Sequence, residues 1–177
     1  LYDYCKSLTK YVVGVTPQAG CNATVVYGTK NSDNFQWDWE TQTGQRRPDI
    51  YYGSDQYSIC NNLTVMKGRD ISELDVSRYN QVCVLGSQAA ETFFGSADPV
   101  GKKLQLNGQS FDVVGVYAPR LTGADAQGSF IDNIIILPYT ARRVMGGETM
   151  ESFIVKAEDG ESVQEATSRV QGFLKGL

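Results

Sequence analysis

The stretch KKLQLNGQSFDVVGVYAP, residues 102–119, constrains the fold more than any other part of the chain. Two runs of alternating apolar and polar residues meet at Asn107-Gly108. Alternation with period two marks a half-buried strand, and Asn-Gly is the favoured pair for a two-residue type I′ turn. An antiparallel hairpin is expected here, and the rest of the molecule must offer it an apolar surface.

Just upstream stands GSADPVGKK, residues 95–103, which has the outline of a phosphate-binding loop. The pattern for such a loop is G-x-x-x-x-G-K-[ST], in which backbone N–H groups cradle phosphates and a hydroxyl holds the metal. Gly95 and Gly101 are one residue too far apart, Lys103 occupies the hydroxyl position, and Asp98 puts negative charge inside the cradle. The order of elements is also reversed, because SQAAETFF reads as a helix before the loop and a strand follows it. The glycines serve chain reversal instead: Gly95 as a helix stop, Pro99 and Gly101 as a turn, Gly108 in the hairpin. No nucleotide and no other cofactor is expected.

The N-terminal LYDYCKSLTK carries a helical stripe, and YVVGV and NATVVYGTK read as strands broken at Pro17–Gly20. A long hairpin with its tip at residues 31–44 returns through PDIYYG. SDQYSICNN reads as a short helix capped by Ser54 or Asp55, and LTVMKG as a strand. ISELDVSRYN places Ser72 and Asp75 in capping positions; QVCVLG is a buried strand, and Ser87 is the expected N-cap of the next helix. LTGADAQGS reads as a flexible loop, FIDNIIILPY as a strand, TARRVMG as a helix opened by Thr140, and ESFIVKAE as a strand. Apolar residues at 163, 166, 170, 173 and 174 make the last segment an amphipathic helix. The fold class is α+β and two-lobed, with 1–70 and 136–177 forming one α/β lobe and 71–135 an inserted, β-rich lobe.

Charge and composition exclude several functions. Sixteen basic and twenty acidic side chains give a net charge of −4, and the basic ones are scattered, so no nucleic-acid surface is expected. Histidine is absent, which removes Ser-His-Asp and Cys-His catalysis and His-containing zinc sites. The carboxylate pairs Glu73/Asp75 and Asp38/Glu40 have no visible tuning as acid and base, so neither an enzyme nor a metal site is expected. Four cysteines allow three pairings; Cys83 is expected as a buried free thiol, and Cys21–Cys60 is the better disulfide candidate. No run reaches the roughly 18–20 apolar residues of a membrane span, and the first residues read as the middle of a longer protein. Phe35, Trp37 and Trp39 alternate and share a face if extended. They either cover the hairpin as a small cluster or form a contact surface for a partner or a membrane interface.

Several of these features recur together in one known pattern. Leu63, Gly68 and Arg69 form a Leu-x-x-x-x-Gly-Arg step followed by Asp75; Val84-Leu85-Gly86 ends a strand before a helix; Phe94-Gly95 leads into Asp98-Pro99-Val100-Gly101-Lys102; and Gly108, Phe111, Val113, Gly115 and Val116 complete the hairpin signature. This arrangement resembles the periplasmic core domain of MacB-type ABC transporter permeases, within the FtsX-like permease group. The resemblance is dense over 63–119 and again around 134–140, whereas residues 31–44 and the cysteines lie outside it. It implies a non-catalytic extracytoplasmic domain on a bacterial cell membrane, whose lobe built from both chain ends is βαβ-type, porter-like and membrane-proximal. The implied partners are the permease's transmembrane helices, a second permease subunit, and a cytoplasmic ATP-binding subunit or domain. Peptides, drugs, lipoproteins or an outer partner protein are the implied objects of its work. A sensory or regulatory ectodomain, for antimicrobial peptides or a cell-wall hydrolase, is the alternative.

Overall fold

The computed structural model describes residues 1–8, 11–121, 129–145 and 152–177. Its strands in chain order are β1 (Val12–Cys21), β2 (Val25–Tyr27), β3 (Lys30–Asn31), β4 (Trp37–Asp38), β5 (Thr43–Gly44), β6 (Asp49–Gly53), β7 (Val65–Gly68), β8 (Val82–Leu85), β9 (Lys103–Leu106), β10 (Gln109–Tyr117), β11 (Ile134–Pro138) and β12 (Ser152–Ala157). The helices are α1 (Tyr2–Ser7), α2 (Tyr57–Cys60), α3 (Glu73–Ser77), α4 (Ser87–Phe94), α5 (Arg142–Met145) and α6 (Gly160–Lys175). Ten strands join in one mixed sheet, ordered β12-β1-β6-β11-β8-β10-β9-β2-β3, with β7 also paired to β10. The remaining two, β4 and β5, form a separate ribbon. The α+β class expected from the sequence is what the molecule adopts.

The Asn107-Gly108 hairpin forms as its residues require. Both turn residues have positive φ, 49° and 80°, and Gln109 pairs with Leu106. Leu104, Leu106 and Phe111 are fully buried, while Lys103, Gln105 and Asp112 face water. The central strands β8 and β11 explain why VCVL and IIIL are uninterrupted apolar runs. Cys83 and Leu85, with Ile135 and Leu137, face a core closed by Ala89, Phe93 and Phe94 of α4. Val84, Ile134 and Ile136 face a second cluster, around Tyr57, Ile71 and Tyr117 on the opposite side of the sheet.

Where β7 crosses β10, two glycines allow the backbones to approach. A Cβ on Gly115 would collide with the Arg69 carbonyl oxygen, and one on Gly68, whose φ is +69°, with that of Val114. The Arg69 N–H donates to the Val114 carbonyl at 2.8 Å, so the start of the turn after β7 is pinned to β10.

Several local expectations are corrected. Ser54 does not cap α2; it is buried, donates to the Val15 carbonyl at 3.1 Å, and its N–H donates to Thr16 Oγ1 at 2.9 Å. Asp55 instead accepts the Tyr2 hydroxyl at 2.7 Å. Gly86, not Ser87, is the N-cap of α4, and Thr140 donates to the Val76 carbonyl rather than opening α5. All four cysteines are free. Cys60 Sγ sits against Gly14, and Cys21 is seven residues further along β1, roughly 23 Å at the rise of a strand, far beyond disulfide reach. Cys83 is the buried free thiol expected, and burial pushes its pKa up. Of the loop expected over 121–129, residues 122–128 lie outside those described.

The chain ends meet. β1 pairs antiparallel with β12 over Val12 to Gln18, and the Tyr4 ring of α1 stacks on Phe173 of α6 with centroids 4.4 Å apart. The Tyr4 hydroxyl also donates to the Arg169 carbonyl at 3.3 Å. Strands β2 and β3, though early in the chain, pair onward from β9, and β11 crosses position 135/136.

Candidate functional site

Two places combine unusual chemistry with defined geometry, and the first is the aromatic ribbon. A tight turn at Ser32–Asn34, begun by Asn31 Oδ1 accepting the Asp33 N–H at 2.9 Å, sends the chain outward from β3. Ser32 Oγ accepts the Val25 N–H at 2.8 Å and fixes that departure. Trp37 and Asp38 then pair with Gly44 and Thr43. Asp38 Oδ1 closes the turn between β4 and β5 by accepting the N–H groups of Glu40 and Thr41, at 2.9 and 3.3 Å. Those bonds, Thr41's first and then Glu40's, hold its carboxyl below the usual aspartate value.

The alternating aromatics do not share one face. Phe35 turns inward and packs against Phe93 of the main core, with ring centroids 5.5 Å apart. Trp37 and Trp39 lie edge to face at 6.3 Å, and both meet Phe130, at 4.9 and 5.8 Å. The Arg46 guanidinium stands 4.5 Å from the Phe130 ring centre. Trp37 is half-buried, whereas Trp39 is 67% exposed. Trp37 also lines two clefts, one of about 640 Å³ shared with Phe35, Arg47 and Tyr51, and one of about 390 Å³ shared with Gln88 and Asn133.

The second place is the Arg69–Asp75 node. Asp75 is 2% exposed and accepts Arg69 Nη1 at 2.6 Å and Nη2 at 3.2 Å, the Ser72 N–H at 2.9 Å and Asn80 Nδ2 at 3.0 Å. Ser72 Oγ in turn accepts the Asp75 N–H at 3.2 Å, completing a capping box at the start of α3. Burial by itself raises the Asp75 pKa; the Arg69 guanidinium and the donors from Ser72 and Asn80 outweigh it and hold the carboxyl well below the usual range. Both oxygens are thereby committed to structure. Its sequence partner Glu73 is exposed, 3.9 Å from Lys6, so Glu73/Asp75 is a clamp beside a surface charge. Asp38 is likewise a turn carboxylate, with Glu40 exposed beside it.

The glycines of residues 95–103 are equally occupied. The Gly101 N–H donates to the Val113 carbonyl at 2.9 Å and the Lys102 N–H to Pro99 at 3.0 Å, while Asp98 Oδ1 accepts the Val100 N–H at 3.1 Å. Among the described residues no three His, Cys, Asp or Glu side chains group as metal ligands.

The family model of the MacB-like periplasmic core domain matches residues 2–173. The chain belongs to this family. The macrolide export ATP-binding/permease protein MacB of Aggregatibacter actinomycetemcomitans is 27% identical over 175 residues, 97% of this chain and 24% of that protein. The pyoverdine export ATP-binding/permease protein PvdT of Pseudomonas aeruginosa is 32% identical over 118 residues, 66% of this chain and 18% of that one. The chain thus spans about a fifth of the length of the curated relatives it matches, between 18% and 24% for these two. The crystal structure of the periplasmic region of MacB from Actinobacillus actinomycetemcomitans superposes with a TM-score of 0.69 at 23% identity, covering 97% of this chain and 72% of that one. The extracellular domain of the ABC-type transporter YknZ from Gram-positive bacteria superposes at 0.67 with 18% identity, over 93% and 75% of the two chains. These two share the fold.

For a MacB-like core domain the motif residues are framework. Gly68 and Gly115 permit the β7–β10 crossing, and Arg69 with Asp75 ties the next turn to it. Residue reasoning found the tryptophans but missed their company, Arg46, Gln88, Phe130 and Asn133. Asn133 carried a legible signal, a polar residue directly before the buried IIIL run; Phe130 and Gln88 carried none, because only the tertiary fold brings them to the ribbon. Among the described residues no helix is long and apolar enough to cross a membrane.

Proposed function

We propose that this domain is an extracytoplasmic moving part of an ABC transporter permease. In this reading it couples ATP hydrolysis, performed in the cytoplasm by a separate domain or subunit, to export or other work on peptides, drugs or lipoproteins. It acts beside a second permease subunit and carries no reactive centre of its own. The observation that carries the reading is the family match over residues 2–173. The meeting of α1 with α6 supports it, since two chain ends at one place suit a segment entered from, and returned to, adjacent membrane helices. In the same reading 1–70 and 136–177 form the membrane-proximal lobe and 71–135 the inserted one, with β2, β3 and β7 contributed across to the latter. Nucleotide binding shifts the population of two arrangements of these parts. Of the three alternating aromatics, Trp39 is the one placed to touch a partner; Phe35 and Trp37 anchor the ribbon that presents it.

Two measurements on the full-length parent test this. Cysteine placed at exposed Ser110 should react with a membrane-impermeant maleimide on intact cells; reaction only after lysis overturns the placement. Replacing residues 2–173 with a short linker should leave ATP hydrolysis measurable and abolish export. Undiminished export by that deletion removes the mechanical role.

A further inference from the structure

Strand β12 closes the sheet on one side: it pairs with β1, and among the described residues nothing pairs beyond it. Its outer backbone groups follow from those of its partner. The Val15 N–H donates to Gln56 Oε1 at 2.8 Å and the Val15 carbonyl accepts Ser54 Oγ at 3.1 Å, so both point away from β12. Residues directly opposite each other in an antiparallel ladder either exchange both bonds or turn all four groups away. Val155 stands opposite Val15, so its N–H and carbonyl face out from the sheet edge, and with period two so do those of Phe153. Natural sheets guard such an edge with a charge, a proline or a bulge. β12 has no proline, and Lys156, its one charge, is drawn across to α2 and the turn after it, with Nζ on the Ile59 carbonyl at 3.2 Å and Asn62 Oδ1 at 2.7 Å.

Beside this open edge lies an apolar groove. Helix α6 begins two residues after β12 ends, and between the two runs a groove of about 230 Å³ lined by Val155, Ala157, Val163, Ala166 and Val170. Val163 is 52% exposed, and Leu174 of the same helical stripe 46%. The other flank of α6 is engaged toward α1 and β1, with Phe173 on the Tyr4 ring and Arg169 over the Tyr11 ring. The bare flank is therefore the one away from β1, on the side of the free edge. Unpaired backbone groups next to an apolar groove suit one kind of occupant, a strand that takes up the bonds and fills the groove with its side chains. A strand reached through a helix runs parallel to the one before it, as in a β-α-β unit. More chain accompanies this fold elsewhere, since the superposed domains of MacB and YknZ are covered over only 72% and 75% of their lengths. We propose that the stretch following Leu177 in the parent protein adds a strand parallel to β12 on this edge and buries its apolar side chains against α6.

Cysteine is placed at Val163, in the groove, and separately at Ser110, exposed on β10. Each variant is made in the 177-residue chain and in a soluble chain lengthened to the parent's next membrane-spanning stretch, and maleimide labelling at that position is followed by mass spectrometry. Relative to position 110, position 163 should react freely in the shorter chain and about tenfold or more slowly in the longer one. The Val155 amide should gain about a hundredfold or more protection from hydrogen exchange in the longer chain. Equal labelling at 163 in both lengths, or an unprotected Val155 amide in the longer one, overturns the proposal. So does shielding in the 177-residue chain that tracks a dimer in sedimentation, which makes a second copy the cover. Shielding found only in the membrane-embedded parent gives the groove to lipid or a partner protein and overturns it too. The proposal rests on the reading above only in placing the chain within a longer protein; no readout here involves ATP or export, so its failure is distinct from failure of the mechanical role.

Discussion

Two hairpins of this molecule, β9–β10 and β4–β5, are built alike and held differently. In β9–β10 every second side chain enters the core, and Leu104, Leu106 and Phe111 have no exposed surface. In β4–β5 two residue pairs are joined, the turn is closed by one carboxylate, and the outermost side chain, Trp39, is 67% exposed. The first owes its shape to apolar area removed from water, the second to ring contacts with Phe130 and to polar bonds within the turn. A hairpin of the first kind is scaffold. One of the second kind leaves an aromatic side chain, Trp39, open to water.

The sharpest way to break that contrast is to empty the core beneath β10. Phe111→Ala removes a fully buried ring between α4 and the sheet and should cost about 3–5 kcal/mol, read as a fall in the urea midpoint at constant slope. A loss under about 1 kcal/mol would mean that the site collapses freely and that burial does not define this hairpin.

A smaller effect is expected where β10 is braced from outside. Asp75→Asn keeps the shape of the side chain but loses the ion pair with Arg69, and should cost about 2–3 kcal/mol. Arg69 is half exposed, so its charge is not stranded when its partner goes, which keeps the figure below that of a fully buried pair. The sign with pH follows from the depressed carboxyl. Its contribution is complete above the ordinary aspartate pKa of about 3.9 and is lost as pH falls from there toward the folded value. The stability gap between the native protein and Asp75→Asn should therefore be constant from neutral pH to about 5 and shrink below about 4. A gap independent of pH down to 2 would remove the ion pair from the account.

Legibility in the sequence followed the same division. Asn107-Gly108, the capping pair Ser72/Asp75 and the apolar runs of β8 and β11 are local signals whose cause lies within a few residues, and they formed as expected. Ser54 and Thr140 looked equally local but are drawn into tertiary contacts, and Ser87 falls one residue inside its helix, behind Gly86. Ser54 is buried between β1 and α2, and Thr140 reaches across to the Val76 carbonyl. Where such a hydroxyl ends up depends on the tertiary fold as well as on its neighbours in sequence: Ser54 Oγ accepts the Gln56 N–H at 3.1 Å while donating to the Val15 carbonyl. The alternation of Phe35, Trp37 and Trp39 misled for a related reason: it assumes an extended chain, whereas Phe35 precedes the ribbon and belongs to the core. The meeting of Trp37, Gln88 and Asn133 around the 390 Å³ cleft was beyond reach, because Gln88 and Asn133 are 45 positions apart and 51 or more from Trp37.

The gentlest test is Trp39→Ala. The substitution removes edge-to-face contacts with Trp37 and Phe130 but little buried area, so it should cost about 0.5–1 kcal/mol against the several of Phe111→Ala. Trp37 then becomes the sole tryptophan, and its emission maximum should move toward the blue, since the half-buried ring remains after the exposed one has gone. A large loss of stability would make the ribbon part of the core, and a shift to the red would mean that Trp37 had lost its shelter with Trp39. Either outcome ends the distinction between a hairpin that holds the domain together and one that the domain merely holds out.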